Sequence, residues 1–132
     1  MKFDHIGIFV ESLSFGRKKM QEIFEIDSCS KEFNDELMSV SVQFMYDTSG
    51  VCYEIVAPYG DNSPVKNVLT TKKNILNHVA YKVKNFDEII SKYIEMRCIP
   101  LGRISNAVAF NNARVIFFLT PLGMIIEFIE DK

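Results

Sequence analysis

The chain has 132 residues, of which 48% are hydrophobic and 24% charged, and its formal net charge is −2. That length is typical of one domain, and the lack of a basic excess argues against nucleic acid as a partner. No apolar run reaches the length of a membrane span, and the start lacks a signal-peptide pattern. We therefore expect a cytoplasmic protein without membrane contact.

The first half of the chain predicts a strand, a helix and then two or three further strands. Residues 3–10 alternate with the period of a strand and place His5 and Gly7 on one face. A helix follows, and either Ser12 or Ser14 is a candidate for its N-terminal cap. Two later strands are predicted, at 38–46 and 51–56.

The second half predicts the same order of elements. Residues 78–83 alternate so that His78, Ala80 and Lys82 share a face, and Asn85 is a candidate cap for the next helix. Two later strands are again predicted, at 113–119 and 124–129. The chain is therefore expected to contain a duplicated unit, with module 1 at about 1–60, a linker at about 61–74 and module 2 at about 75–132.

A repeated spacing of chemically active residues supports the duplication. Glu54 follows His5 at the same spacing at which Glu127 follows His78, and no other histidine occurs in the chain. The phrases H-I-G-I-F-V-E-S-L and H-V-A-Y-K-V-K-N-F begin at the two histidines. We call the step along the chain from His5 to His78 the repeat interval; the same step relates the two glutamates. Two imidazoles and two carboxylates at equivalent positions predict one divalent metal site built from two halves, with open positions for substrate.

More ordinary interpretations exist for each residue taken alone. A histidine near the start of a chain is commonly a surface or hydrogen-bonded residue, and a glutamate near the end is commonly solvated. The combination weakens these interpretations, because Glu54 and Glu127 each lie between apolar residues of an apolar strand. Burying an unpaired carboxylate there is costly, and a cation would remove that cost.

The chain resembles the vicinal oxygen chelate superfamily, which includes glyoxalase I, methylmalonyl-CoA epimerase and bleomycin-resistance proteins. The resemblance covers the whole chain and lies in D-H-I-G-I-F-V, Y-E-I-V-A-P, G-D-N-S-P-V, N-H-V-A-Y-K-V and G-M-I-I-E-F. It implies an α+β fold in which two βαβββ modules form one barrel-like mixed sheet, with helices outside and a concave metal-binding cleft. It also implies that the metal ligands are His5, Glu54, His78 and Glu127.

The resemblance implies a function as well. It indicates a divalent-metal-dependent isomerase or lyase that removes a proton next to a carbonyl, with zinc, nickel, cobalt or manganese as the cofactor. Glu127 is the candidate catalytic base. The position of a second catalytic glutamate in the epimerases holds Gln43 here, which leaves a substrate-binding or simple cleft-lining role. The alternatives are a non-catalytic small-molecule binding or resistance protein, and a protein whose metal is structural.

Candidate substrate contacts outside the metal site depend on strand alternation. The strand at 113–119 places Arg114 on the face equivalent to that of Gln43, so we expect both to line the cleft. Arg114 could bind a substrate carboxylate or phosphate, although a solvated arginine at a strand end is an equally ordinary interpretation. The basic run 17–19 is interpreted as part of the solvent-exposed face of the first helix. The expected partners are a carbonyl substrate (an oxoacid, acyl-CoA thioester or thiol adduct) and, from the resemblance, a second copy in a homodimer.

Overall fold

The computed structural model describes residues 1–73 and 75–132, so Asn74, the last residue of the predicted linker, lies outside the described residues. The described residues form three α-helices, one short 3-10 helix and a mixed sheet of nine strands. The helices are α1 (Leu13–Ile23), α2 (Pro64–Thr71), α3 (Phe86–Glu95) and the 3-10 helix Val108–Phe110. The strands are β1 (Lys2–Phe9), β2 (Ile26–Asp35), β3 (Val40–Asp47), β4 (Cys52–Pro58), β5 (Leu76–Val83), β6 (Ile99–Pro100), β7 (Ser105–Ala107), β8 (Ala113–Leu119) and β9 (Ile125–Glu130).

The order of elements confirms the α+β class and the internal repeat. When the chain is shifted by the repeat interval, β1, α1, β3 and β4 fall on β5, α3, β8 and β9 with closely matching bounds. The long β2 corresponds to the two short strands β6 and β7, while α2 lies in the predicted linker and has no counterpart. The described residues divide into two compact units, one of residues 5–77 and one of residues 1–4 with 78–132. The predicted module boundaries and the single-domain assignment stay predictions.

In the unit of residues 5–77, the strand order is β2-β3-β4-β1, and β1 runs parallel to β4. Helix α1 begins after Ser12, whose hydroxyl accepts a hydrogen bond from the Phe15 amide, so the first of the two predicted caps is correct. The apolar side of α1 packs on one face of these strands and forms a buried cluster. Its fully buried members are Leu13, Met20, Met45, Ile55 and Ala57.

In the unit that contains residues 78–132, β5 runs parallel to β9, and β9 pairs with β8. Strands β6 and β7 both pair with β8. Helix α3 begins after Asn85 as predicted, although the Asn85 side chain makes no capping hydrogen bond. The helix packs on a cluster rich in aromatic rings, which includes Phe86, Phe118 and Phe128.

Strand alternation therefore gives each unit a helix-covered face and an opposite face. His5 and Gly7 lie on the face of β1 opposite the face of Ile8, which packs toward α1. His78 and Ala80 lie on the equivalent face of β5. Among the described residues, no helix is both long and apolar enough to cross a membrane.

Candidate metal centre

The first histidine–carboxylate pair is formed by two neighbouring parallel strands. Glu54 on β4 is in register with Gly7 on β1, so its carboxylate lies on the face of His5, two residues earlier. The His5 Nε2 and Glu54 Oε1 atoms are 3.4 Å apart. Both residues are buried, with exposed fractions of 0% for His5 and 6% for Glu54. The Phe44 ring meets the His5 imidazole edge-on, with 5.8 Å between the ring centroids.

The second pair reproduces this arrangement in the other unit. Glu127 on β9 is in register with Ala80 on β5, two residues after His78. The His78 Nε2 and Glu127 Oε1 atoms are also 3.4 Å apart, and the exposed fractions are 5% for His78 and 3% for Glu127. The Phe117 ring lies edge-on to the His78 imidazole, with a centroid distance of 5.2 Å. The two pairs are thus equivalent in strand position, distance, burial and aromatic neighbour.

The four side chains also satisfy the distance requirement for a shared cation. Each of His5, Glu54, His78 and Glu127 offers one ligand atom, and these atoms all lie within 4.8 Å of one another. All four residues are buried. The described residues therefore include a His-Glu-His-Glu cluster that could hold a metal ion.

The chemistry of the donors fits a divalent transition metal or zinc. Imidazole nitrogen suits zinc, nickel and cobalt, and carboxylate oxygen suits manganese and other harder cations. Two carboxylates held at such short distances repel each other, and burial strengthens that repulsion. A divalent cation would compensate their charge, so the residues present fit the group that the sequence predicts.

Gln43 lies on the helix-covered face of β3, which differs from the expectation that it lines the face of the histidines. It is in register with Ile55, whereas its neighbour Phe44 is in register with Glu54 and contacts His5. The Gln43 carbonyl oxygen accepts a hydrogen bond of 2.8 Å from Arg17, and its amide donates one of 2.8 Å to the Ser30 carbonyl. The predicted alternation of this strand is correct. Both of its faces carry large apolar residues, however, so the alternation alone could not show which face packs against the helix. Its role as a substrate contact stays a prediction.

Arg114 likewise lies on the helix-covered face, in β8. Its guanidinium donates two hydrogen bonds to the Asp87 carboxylate and two to Glu130, and it stacks 4.7 Å from the centroid of the Phe86 ring. Hydrogen bonds from Arg114 lower the pKa of Glu130, and the same bonds raise the pKa of Arg114. The expectation that Arg114 shares the face of the histidines is therefore wrong. Substrate binding by Arg114 stays a prediction, and it would require exchange of these carboxylate partners.

Three neighbours of the predicted residues were missed by sequence reasoning. Phe44 and Phe117 flank the histidines and are themselves separated by the repeat interval, so the repeat contained the signal that could have found them. Arg17 was assigned to the solvated side of α1, yet it bonds to both Gln43 and Glu32. No local pattern marks that contact, because its partners are distant in the sequence.

Comparison with known proteins identifies the family. Residues 4–129 match the model of the glyoxalase/bleomycin resistance protein/dioxygenase superfamily. An uncharacterized Bacillus subtilis protein, YqjC, is 26% identical over 99% of this chain and 93% of its own length.

Solved structures share the fold. The hypothetical protein BH1468 of Bacillus halodurans C-125 has a TM-score of 0.83 and 22% identity, covering 99% of this chain and 94% of that one. Methylmalonyl-CoA epimerase from Mycobacterium tuberculosis has a TM-score of 0.79 and 17% identity, covering 99% and 88%. Together with the match over residues 4–129, these findings show that the chain belongs to the glyoxalase/bleomycin resistance protein/dioxygenase superfamily.

Proposed function

We propose that the protein is a divalent-metal-dependent isomerase or lyase of the glyoxalase I or methylmalonyl-CoA epimerase type. Its substrate would be a small compound with a carbonyl group: an oxoacid, an acyl-CoA thioester or a thiol adduct. The family membership supports this class of chemistry, since the solved structures of similar fold include an epimerase.

The observation that carries the proposal is the mutual distance of four buried ligand atoms. One atom each from His5, Glu54, His78 and Glu127 lies within 4.8 Å of the other three. Four such donors leave one or two positions of a five- or six-coordinate cation open for substrate, which a catalytic centre requires. A closed structural site would instead use all of its positions for protein ligands.

Glu127 is the proposed catalytic base. A divalent cation held by this cluster would supply electrostatic stabilisation of negative charge that develops on a carbonyl oxygen. Glu127 would then accept the proton from the adjacent carbon and return it, in the same or a neighbouring position, to give the product. Burial to 3% exposure keeps bulk water from competing for that proton.

The first test measures metal content and proton exchange on the same preparation. We expect about one divalent ion per chain in protein purified without added metal, measured by inductively coupled plasma mass spectrometry. The metal-loaded protein should incorporate solvent deuterium into methylmalonyl-CoA or into a methylglyoxal–thiol adduct. The variant His78→Ala should lose both metal and exchange, while Glu88→Gln, an exposed change on α3, should keep both.

The outcomes separate the proposed enzyme from the alternatives. Metal without deuterium incorporation into either compound would favour a structural metal or a different substrate class. Binding of small molecules by protein that takes up no metal would favour a non-catalytic resistance or sequestration protein. A homodimer and a cytoplasmic location remain predictions, which size-exclusion chromatography with light scattering and cell fractionation would test.

A further inference from the structure

A cavity of about 330 Å³ lies in the unit that contains residues 78–132. Among its lining residues, we call the three that come from the sheet its floor and the pair Phe110 and Asn111 its wall; the floor residues are Lys82 of β5, Ala113 of β8 and Ile129 of β9. That volume is at the lower end of the range for small-molecule sites, which fits part of a ligand rather than a whole cofactor.

The cavity shares a strand face with the second histidine–carboxylate pair. Lys82 is in register with Ile129, and Ala80 is in register with Glu127. Because alternate residues of a strand share a face, Lys82 and Ile129 lie on the side of His78 and Glu127. Ile129 follows Glu127 by two residues on β9, which corresponds to about 7 Å along the strand. A substrate that reacts at Glu127 could therefore reach the cavity with a substituent of a few atoms.

Four charged residues line the cavity: the cations Lys82 and Lys132, and the carboxylates Glu130 and Asp131. Lys82 is the cation that shares strand β5 with His78. The carboxylate of Glu130, which also lines the cavity, is held by Arg114 from the opposite face. Lys82 forms an ion pair with Asp4 at 3.7 Å, and both side chains are partly exposed. Such a long, exposed ion pair contributes little free energy, so Lys82 can exchange it for a ligand anion at small cost.

The wall of the cavity belongs to a turn whose backbone conformation is fixed by hydrogen bonds. Asn111 and Asn112 both have positive φ angles, of 53° and 61°, which non-glycine residues adopt at some cost in energy. The turn is held by a 2.9 Å bond from the Asn112 amide to the Ala107 carbonyl and a 2.7 Å bond from the Asn106 side chain to the Asn112 carbonyl. A turn held by these two hydrogen bonds gives the cavity a preformed wall, and Asn111 is the polar residue of that wall.

The other module has different residues at the equivalent positions. The repeat interval relates Lys82 to Phe9 and Ala113 to Val40. The repeat therefore keeps the histidine and glutamate in both halves but has a cation and a small side chain in module 2 only. A substrate with one anionic end would find its counter-charge on one side of the proposed metal centre.

We propose that this cavity is a substrate subsite that binds an anionic substituent, a carboxylate, through Lys82. The inference rests on the proposed function, because it places the reacting carbonyl at the metal centre and the carboxylate in the cavity. It narrows the substrate class to dicarboxylate-like compounds, meaning an oxoacid or acyl thioester that carries a further carboxylate.

The test compares two compounds that differ only in their far end. Isothermal titration calorimetry on metal-loaded protein would measure the dissociation constants of 2-oxoglutarate and 2-oxopentanoate. We expect 2-oxoglutarate to bind at least about tenfold more tightly, as one charge-assisted contact allows. Lys82→Met should remove that preference, and Lys84→Met, the same charge change just outside the cavity, should retain it. Metal content is measured in every preparation.

A second variant tests whether the ligand occupies the cavity by reducing the volume of the cavity. Ala113→Leu should weaken the binding of 2-oxoglutarate by filling the floor, at unchanged metal content and with a melting temperature that shows a folded protein. Equal dissociation constants of the two compounds on the wild-type protein overturn the subsite and leave the metal chemistry intact. A preference that survives Lys82→Met also overturns it. A wild-type protein that takes up no metal overturns the proposed function and this inference with it.

Discussion

The two modules are alike at their histidine–glutamate pairs and unlike on the face beneath the helices. The His5–Glu54 and His78–Glu127 pairs have the same 3.4 Å separation, the same strand register and an aromatic ring at the same repeat position. On the helix-covered face, each module instead ties its helix to its sheet with a different arginine. The histidine, glutamate and aromatic positions are thus the same in both modules, which is expected if these residues act together.

The arginine contacts show how far the covered faces differ. In module 1, Arg17 of α1 bonds to Gln43 of β3, and the equivalent residues of module 2 are Ile90 and Ile116, which belong to an apolar cluster. In module 2, Arg114 bonds to Asp87 and Glu130, and the equivalents in module 1 are serine, serine and alanine at 41, 14 and 57. Either a polar or an apolar contact can therefore hold a helix on this sheet.

The largest expected effect breaks the symmetry of the metal face. If Glu127 is the base, Glu127→Gln should lower proton exchange at saturating metal by about 10²–10⁴-fold. Glu54→Gln removes only a ligand, so it should weaken metal binding and lose much less exchange once metal is saturating. Deuterium incorporation followed by mass spectrometry, over a range of metal concentrations, measures both. Equal losses in the two variants would show that neither glutamate is a dedicated base.

A second comparison concerns the approach of each helix to its sheet. A Cβ added at Gly16 of α1 would lie 2.8 Å from both Cγ atoms of Val10, so Gly16→Ala must displace either the helix or Val10. We expect a loss of about 1–3 kcal/mol in the free energy of unfolding, despite the better helix propensity of alanine. The equivalent residue of α3 is Ile89, and Ile89→Ala should destabilise by removing packing instead.

Urea unfolding and a double-mutant cycle distinguish the two causes. Val10→Ala should rescue only part of the loss in Gly16→Ala, because it removes the two Cγ atoms but keeps the Val10 Cβ, which would lie 2.9 Å from the added Cβ. Val10→Gly removes all three atoms and should rescue more. The equivalent change Val83→Ala should add to the loss in Ile89→Ala. A Gly16→Ala variant that is as stable as the wild type would show that α1 has room to move.

A smaller effect is expected from exchanging the polar contact of module 1 for the apolar one of module 2. Gln43→Ile alone leaves Arg17 without its 2.8 Å acceptor and should cost about 1–2 kcal/mol in the free energy of unfolding. Arg17→Ile combined with Gln43→Ile reproduces the residues of module 2 and should restore most of that loss. A double variant less stable than the single one would show that the polar contact cannot be replaced here.

The smallest effect concerns pH. Hydrogen bonds from Arg114 lower the pKa of Glu130 from its ordinary value of 4.5, so the contact stabilises the fold above that pH. The stability is lost as the pH falls below 4.5 through the lowered pKa, because protonation removes the carboxylate. Arg114→Met should therefore show a shallower fall in the free energy of unfolding below pH 4.5.

An acidic residue of module 1 gives the control for that pH experiment. The pKa of Asp47 is also lowered, mainly by its hydrogen bond from Ser49, and Arg114 is not among the causes of that shift. The part of the pH dependence that comes from Asp47 should persist in Arg114→Met. Urea unfolding between pH 7 and pH 3 measures both, and an unchanged slope in the variant would exclude the Arg114–Glu130 contact as a source.

The repeat made much of the fold predictable from the sequence. Strand alternation around His5 and His78 predicted which residues share their faces, and the equal histidine-to-glutamate spacing predicted one site built from two equivalent halves. Local patterns could not decide which face of β3 and β8 lies under a helix, since both faces carry large apolar residues. Gln43 and Arg114 were placed on the wrong face for that reason.

Two elements that were not predicted, β2 and α2, lack a regular pattern of apolar and polar residues. Strand β2 is a polar segment whose pairing with β3 has register shifts near Cys29, so its alternation is interrupted. Helix α2 is only eight residues long, although the Ser63 cap and Pro64 at its first position were visible as the turn D-N-S-P.

The rings of Phe44 and Phe117 have a thermodynamic consequence for ion capture. Each ring limits the rotation of the imidazole beside it in the folded protein, so less side-chain entropy remains to be lost when a ligand is fixed. Such ordering typically costs about 0.5–1.5 kcal/mol per side chain, and two restrained imidazoles would together raise affinity by about a factor of ten or more. Aromatic side chains that do not contact the ion would thus help to set the lowest free metal concentration at which the protein still binds its ion.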